Sequence, residues 1–314
     1  MKNWKLFTLL FTLILLLAAC GEESQKETAA EAKKDKGSTI TIKHQYGEVK
    51  VPANPDKAVV FDFGTLDTMD ELGIEPAGLP QMTIPGYLSK YESKKYKNTG
   101  SLKEPDFEAI SSMEPDVIFI SGRQAEMYEE FSKIAPTVFV ELDSKNYMKS
   151  FEKNVSLIAE IYGKEKEAEA KLADIQKSAE ELKTEASSLD KKALVILANE
   201  GKISAYGQGS RFGIIHDLFG FKAADEQIEV STHGQNISNE YILEKNPDIL
   251  FVIDRTAAVG GSTSAKETVE NEITKKTAAF KEGKIIYLDP DYWYLSGGGL
   301  QSVKAMADEV QKAL

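Results

Sequence analysis

One nine-residue segment is written twice in this chain: PDVIFISGR at residues 115 to 123 and PDILFVIDR at 247 to 255. A single offset of 132 places Pro115 on Pro247, Asp116 on Asp248, Phe119 on Phe251 and Arg123 on Arg255. The same offset carries Glu108 onto Glu240, because FEAISSMEPD and NEYILEKNPD each read as a short helix delivered into Pro-Asp and a strand. Turn chemistry accounts for proline and aspartate between a helix and a strand. It does not account for the arginines, since the chain has 35 lysines and only three arginines, at 123, 211 and 255. The duplication predicts two similar lobes.

Short apolar runs at 57–63, 116–121, 137–142, 192–199, 248–253 and 284–289 read as buried strands, and helical patterns lie between them. Strands alternating with helices predict parallel sheets. KALVILANEGKISAYGQGSRFGIIHDLFGF is expected to repeat the strand, loop and helix of KAVVFDFGTLDTMDELGI. Beyond Gly163, KEKEAEAKLADIQKSAEELKTEASSL is about 26 residues of strong helix formers, about 39 Å long at 1.5 Å per residue. Ala168, Leu172, Ile175 and Leu182 fall near one face of it. The expected fold is thus α/β: a lobe over 39–163, a linking helix over 164–189 that limits swing, and a lobe over 190–314.

The start of the chain speaks to place. Lys2 and Lys5 precede a charge-free stretch from Leu6 to Ala19, which ends in LAAC at Cys20, the only cysteine. The stretch is shorter than the roughly 20 residues of a membrane-spanning helix and reads as a secretion signal over 1–19. A lone cysteine excludes an internal disulfide or CxxC site. Residues 20–38 carry mixed charge without a bulky apolar group and read as a flexible tether. The net charge of −12 falls to about −14 once Lys2 and Lys5 are removed. So acidic a surface argues against nucleic acid as a partner.

Ligands of open parallel sheets bind beyond the carboxyl ends of the strands. Arg123 and Arg255 follow their strands directly, and Arg211 lies in the loop GQGSRFG, so all three are expected in a cleft between the lobes. A guanidinium offers a planar fork of donors and keeps its charge when partly buried, which suits a ligand with several negative oxygens. The purely structural alternative pairs each arginine with a buried carboxylate such as Asp254. His233 in STHGQN, and Tyr294 and Trp293 in DYWYLSGGGL, are the other candidate cleft residues. Aromatic rings beside glycines suit a pocket wall, and suit a core packed on a turn almost as well. His216 reads as a partly buried helix residue, and His44 lacks any evident partner.

The cysteine motif, tether, paired Glu-to-Pro-Asp segments and linking helix together resemble the substrate-binding lipoproteins of iron–siderophore ABC importers. FDFGTLDTMDELG, GSLKEPDFEAI, ISGRQ, GQGSRFGIIHDLFG, STHGQ, VIDR and WYLSGGGL resemble the branch that takes catecholate siderophores such as petrobactin. The resemblance implies a two-lobed periplasmic-binding-protein-like fold of the helical-backbone class, and no enzymatic activity. It implies Fe(III) bound as a siderophore complex, with Arg123, Arg211 and Arg255 neutralising its charge. His233 and Tyr294 would complete iron coordination for a tetradentate siderophore and line the pocket for a hexadentate one. It further implies docking of Glu108 and Glu240 to an ABC permease, and a membrane anchor through lipid on Cys20 at the extracytoplasmic face. A monomer is the expectation.

Three other readings share the two-lobed frame. An α/β enzyme would need a motif such as GxGxxG or GxSxG, which GQGSRFG does not match. A carrier of bare metal would need several converging histidines and carboxylates, whereas the three histidines are widely spread. A carrier of haem or cobalamin would need less positive charge in the cleft, and a hydroxamate siderophore is a further alternative ligand.

Overall fold

A computed structural model describes residues 37–314. The expected signal peptide, Cys20 and nearly all of the tether lie outside the described residues. A hairpin of β1 (Thr39–His44) and β2 (Gly47–Pro52) opens the fold. The first sheet follows with β3 (Ala58–Val60), β4 (Gly78–Leu79), β5 (Lys97–Asn98), β6 (Val117–Ile120) and β7 (Thr137–Phe139). Its order is β5-β4-β3-β6-β7, and every neighbouring pair is parallel. The second sheet contains β8 (Lys192–Asn199), β9 (Lys202–Tyr206), β10 (Lys222–Ala223), β11 (Gln235–Ile237), β12 (Ile249–Asp254) and β13 (Ile285–Leu288). It is ordered β11-β9-β8-β12-β13, with β10 also paired to β8.

The duplicated segments are β6 and β12, and their Pro-Asp prefix has the same task in both. Asp116 accepts hydrogen bonds from the backbone amides of Asp56 (3.0 Å) and Lys57 (2.8 Å), just ahead of β3. Asp248 accepts from the amide of Lys192 (2.8 Å), the first residue of β8. Each aspartate therefore staples its strand to the parallel neighbour and sets the register, Phe119 on Val60 in one sheet and Phe251 on Val195 in the other. The preceding helices, Phe107–Ser112 and Asn239–Lys245, are capped by Asp106 and Ser238, whose side chains accept amides of Ala109 and Tyr241. Capping a first turn in this way satisfies donors the helix cannot.

The second sheet departs from the expected parallel arrangement: β8 and β9 form an antiparallel hairpin, and β11 adds antiparallel to β9. The segment read as strand, loop and helix has a tight turn and a second strand inserted after its first, ahead of the loop and the helix Ile214–Asp217. Glu200 (φ 47°) and Gly201 (φ 77°) make the two-residue turn, and both have the positive φ that matches strand twist. Glu-Gly is a weaker turn signal than Asn-Gly, which is why the hairpin is hard to see in the sequence.

Alternation along each central strand divides its side chains between two faces, both buried. Val59, Ile118 and Ile120 face an outer cluster in the first lobe, and Leu194, Ile196, Leu250 and Val252 an outer cluster in the second. Val60, Phe119, Val195 and Phe251 face inward onto one continuous core, which also takes Ala168, Leu172, Ile175, Ala179, Leu182 and Ala186 from the helix Glu165–Ser188. That helix, about 36 Å long at 1.5 Å per residue, follows the left-handed Gly163 that ends the helix Tyr147–Tyr162. A shared core resists sliding of one lobe on the other.

The C-terminal helix Leu300–Gln311 packs on both the long helix and the first-lobe helix Phe63–Glu71. Asp67, fully buried in the latter, accepts the amides of Gln301 (2.7 Å) and Ser302 (2.8 Å) and the hydroxyl of Tyr87 (2.9 Å). Two amides at a helix N-terminus favour an anion, but burial wins and pushes the Asp67 carboxyl up to about 6. The approach requires glycine at 299, where a Cβ would lie 2.2 Å from Cγ of Asp67.

Candidate functional site

A cleft of about 710 Å³ lies between the sheets, lined by Ser121, Arg123, Leu142, Arg211, Val230 and Ser296 among others. Arg123 sits in the turn after β6, and Arg255 opens the helix Arg255–Val259 after β12. Arg211 projects from the loop between β9 and the helix Ile214–Asp217.

All three guanidiniums converge on Tyr294. Arg123 donates to the carbonyls of Tyr294 (2.8 Å) and Leu295 (3.2 Å), and Arg211 donates to the carbonyl of Tyr294 (2.7 Å). Arg255 donates from Nε to the Tyr294 hydroxyl (2.7 Å) and from Nη1 to Oδ1 of Asn199 (2.6 Å). The Tyr294 ring lies 4.5 Å from Cζ of Arg211 and 5.5 Å from Cζ of Arg255, so the cations also meet its π face. These carbonyls belong to a π-helical turn, Asp291–Ser296, ended by Gly297 in the left-handed region. A turn end leaves carbonyls without intrahelical partners, and here the arginines take them.

Among the described residues no carboxylate pairs with any of the three arginines. Asp254, the most plausible structural partner, is committed to the amides of Ala257 (3.0 Å) and Ala265 (2.8 Å). Burial, and then the charge of Arg123, lower the Arg211 pKa. Burial alone would raise Tyr294, yet the Arg255 hydrogen bond and the charges of Arg255, Arg211 and Arg123 leave its phenol below the ordinary value. The site is a concentration of positive charge answered only by neutral oxygens.

Arg123 and Arg211 line the cleft directly, whereas Arg255 joins them through Tyr294. Trp293 is at the cleft floor but 2% exposed, with its indole N–H on Glu309 (2.8 Å). That placement makes it a support for the π turn rather than an open stacking surface. His233 is exposed, one residue beyond the cleft-lining Thr232, with no hydrogen-bond partner among the described residues. His216 is buried and binds the carbonyl of Phe221 (2.9 Å). His44 binds the carbonyl of Thr137 (3.2 Å), a partner invisible in the sequence. Glu108 and Glu240 are exposed at the second position of their equivalent helices. Asn199, Asp67 and the carbonyls of the π turn were missed by sequence reasoning, since nothing in residue type sets them apart.

The family model described as periplasmic binding protein matches residues 59–292. The chain is 48% identical over 318 residues to the petrobactin-binding protein YclQ of Bacillus subtilis, covering 100% of this chain and 99% of that protein. It is 33% identical over 279 residues to the ferric-anguibactin-binding protein FatB of Vibrio anguillarum, covering 87% of each. The crystal structure of YclQ superposes with a TM-score of 0.86 at 51% identity, covering 88% of this chain and 98% of that one. The catecholate-siderophore binding protein VctP of Vibrio cholerae gives 0.82 at 34% identity, covering 88% and 100%. By the extent of these matches and by its two-sheet architecture, the chain belongs to the periplasmic binding protein family, whose members here are substrate-binding proteins and not enzymes.

Proposed function

We propose that this chain is an extracytoplasmic substrate-binding lipoprotein that captures a ferric siderophore of the catecholate class, petrobactin-like, and delivers it to an ABC permease. The observation that carries this reading is the convergence of three guanidiniums on Tyr294 without a carboxylate among the described residues to answer them. Each catecholate brings two negative charges to Fe(III), so such complexes remain anionic. A ferric trihydroxamate is neutral, and a neutral or cationic macrocycle draws nothing from the cluster. The names of the relatives, which specify petrobactin, anguibactin and catecholate siderophores, support the same ligand class.

Capture needs no catalysis: the arginines supply counter-charge and donors, and the shared core keeps the lobes near their binding geometry. For a tetradentate siderophore, the two open positions on iron are assigned to Tyr294 and His233; a hexadentate one leaves both as pocket wall. Glu108 and Glu240, exposed at equivalent positions on the two lobes, are assigned to the permease contact. Lipid on Cys20 holds the tether at the membrane, and the protein acts as a monomer.

Titration of intrinsic fluorescence tests the reading. Ferric petrobactin is expected to quench saturably, with affinity falling as salt rises, while haem, cobalamin, a ferric trihydroxamate and zinc salts give weaker or no saturation. Tighter binding of any of the latter, or equal quenching in a chain with Arg123, Arg211 and Arg255 all changed to Gln, would falsify it.

A further inference from the structure

The guanidinium of Arg255 is clamped from two sides, by Tyr294 on Nε and by Asn199 on Nη1, while Nη2 has no partner among the described residues. Asn199 is the last residue of β8, paired with Lys202 at the mouth of the hairpin, so its position is set by the sheet. The next residue, Glu200, grips the segment that Arg255 begins. Its amide donates to Oγ1 of Thr256 (2.9 Å), and its carboxylate accepts the amide (2.9 Å) and hydroxyl (3.2 Å) of Ser262.

Two acids thus flank this contact in sequence, Glu200 beside Asn199 and Asp254 beside Arg255, and both are held elsewhere by backbone amides. The group that meets the guanidinium is a neutral amide oxygen. A carboxylate there would make a stronger, charge-assisted bond but would cancel the charge locally. An amide fixes the orientation and leaves the charge intact.

We infer that Asn199 is a positioning residue for ligand capture, a neutral clamp that aims Arg255 from the β8–β9 turn without discharging it. This rests on the anionic-ligand reading above. The parallel pairing of β8 with β12, which sets Ala198 opposite Asp254, brings the end of β8 to the start of the helix Arg255–Val259.

The test separates orientation from charge. Asn199→Asp is nearly isosteric and keeps an acceptor for Nη1, so a merely structural Asn199 predicts unchanged affinity for ferric petrobactin. The inference predicts an apo melting temperature equal to or above that of the parent, with affinity at least tenfold weaker at low salt and the deficit shrinking at high salt. Asn199→Ala keeps the charge and loses the aim; a loss of about threefold supports the inference. Should Asn199→Asp prove unstable, the alanine variant decides, and affinity unchanged within twofold overturns the proposal. Affinity of Asn199→Asp within twofold of the parent, in a folded protein, overturns it equally. Failure of the parent to bind ferric petrobactin, or wild-type binding by Arg211→Glu, would instead bring down the anionic-ligand reading.

Discussion

Replacing Arg211 by Gln should strengthen the empty protein and weaken the loaded one. Terminal nitrogens of Arg123 and Arg211 sit 2.8 and 2.7 Å from the same carbonyl oxygen, so they are at most about 5.5 Å apart. Two unit charges at that distance repel by about 1 kcal/mol in water-like surroundings and about 3 kcal/mol at an effective dielectric constant of 20. Arg123 is exposed, which favours the lower figure. Gln keeps an amide donor, on a side chain two bonds shorter than the one that reaches the Tyr294 carbonyl, and loses the cation–π contacts with Tyr294 and Phe212, each worth about 0.5–1 kcal/mol when exposed. Relief of repulsion from Arg123 and of the burial of a charge is expected to outweigh that loss. The net gain is about 1 kcal/mol, or about 2 °C in melting temperature.

Loss of one counter-charge should weaken ferric petrobactin at least tenfold, about 1.4 kcal/mol. With ligand at a hundred times the parent dissociation constant, the parent gains about 2.7 kcal/mol and the variant about 1.4. The order of melting temperatures should therefore invert on adding ligand. Differential scanning fluorimetry with and without ferric petrobactin reads this directly. Apo Arg211→Gln melting several degrees below the parent would show that the arginine holds the fold together, and the argument for stored, unanswered charge would fail.

Two further outcomes follow from other parts of the molecule. Charge reversal at Glu108 and Glu240 together should leave ferric petrobactin binding within twofold while abolishing iron-dependent uptake in cells; retained uptake would remove these residues from the permease contact. Asp67→Asn should change the pH dependence of stability in a definite direction. The folded carboxyl, at about 6 against 3.8, holds its proton where the unfolded one has released it. The parent then loses up to about 3 kcal/mol between pH 4 and pH 6. Asn cannot lose a proton, so the variant should gain on the parent by about that amount over the window and no more above it. Urea melts at pH 4, 5, 6 and 7 would show a flat difference if the three hydrogen bonds cancel the burial.

The duplication made much of this architecture legible. Asp116 and Asp248 could be matched by offset because the same staple is needed wherever a helix feeds a strand beside a parallel neighbour. The scarcity of arginine pointed to Arg123, Arg211 and Arg255 as a group, since a chain that otherwise uses lysine has little reason to change residue type without a geometric need. The meeting point was not legible. Tyr294 gathers the arginines mainly through its backbone carbonyl, and a carbonyl has no letter of its own in a sequence. Trp293 looked as suited to a ligand as its neighbour, but the π turn rotates it toward Glu309 and the core. The β8–β9 hairpin was hidden because its turn is Glu-Gly, and Asn199 with it. Asp67 was one acid among many until the fold brought Gln301 and Ser302 to it.

The acid inside the first helix finds its amide donors 234 and 235 residues later in the chain. A chain emerging from the ribosome exposes that carboxylate long before its cap exists, and the part of the core that the helix Leu300–Gln311 covers stays open until this last segment arrives. Maturation is then a late closure, whose entropic cost grows with the logarithm of the length of the loop it must shut. A protein clipped just before Leu300 would lose more than a tail: it would leave an uncapped buried acid and an unsealed interior, and should be recognised by quality-control proteases as a chain that never finished.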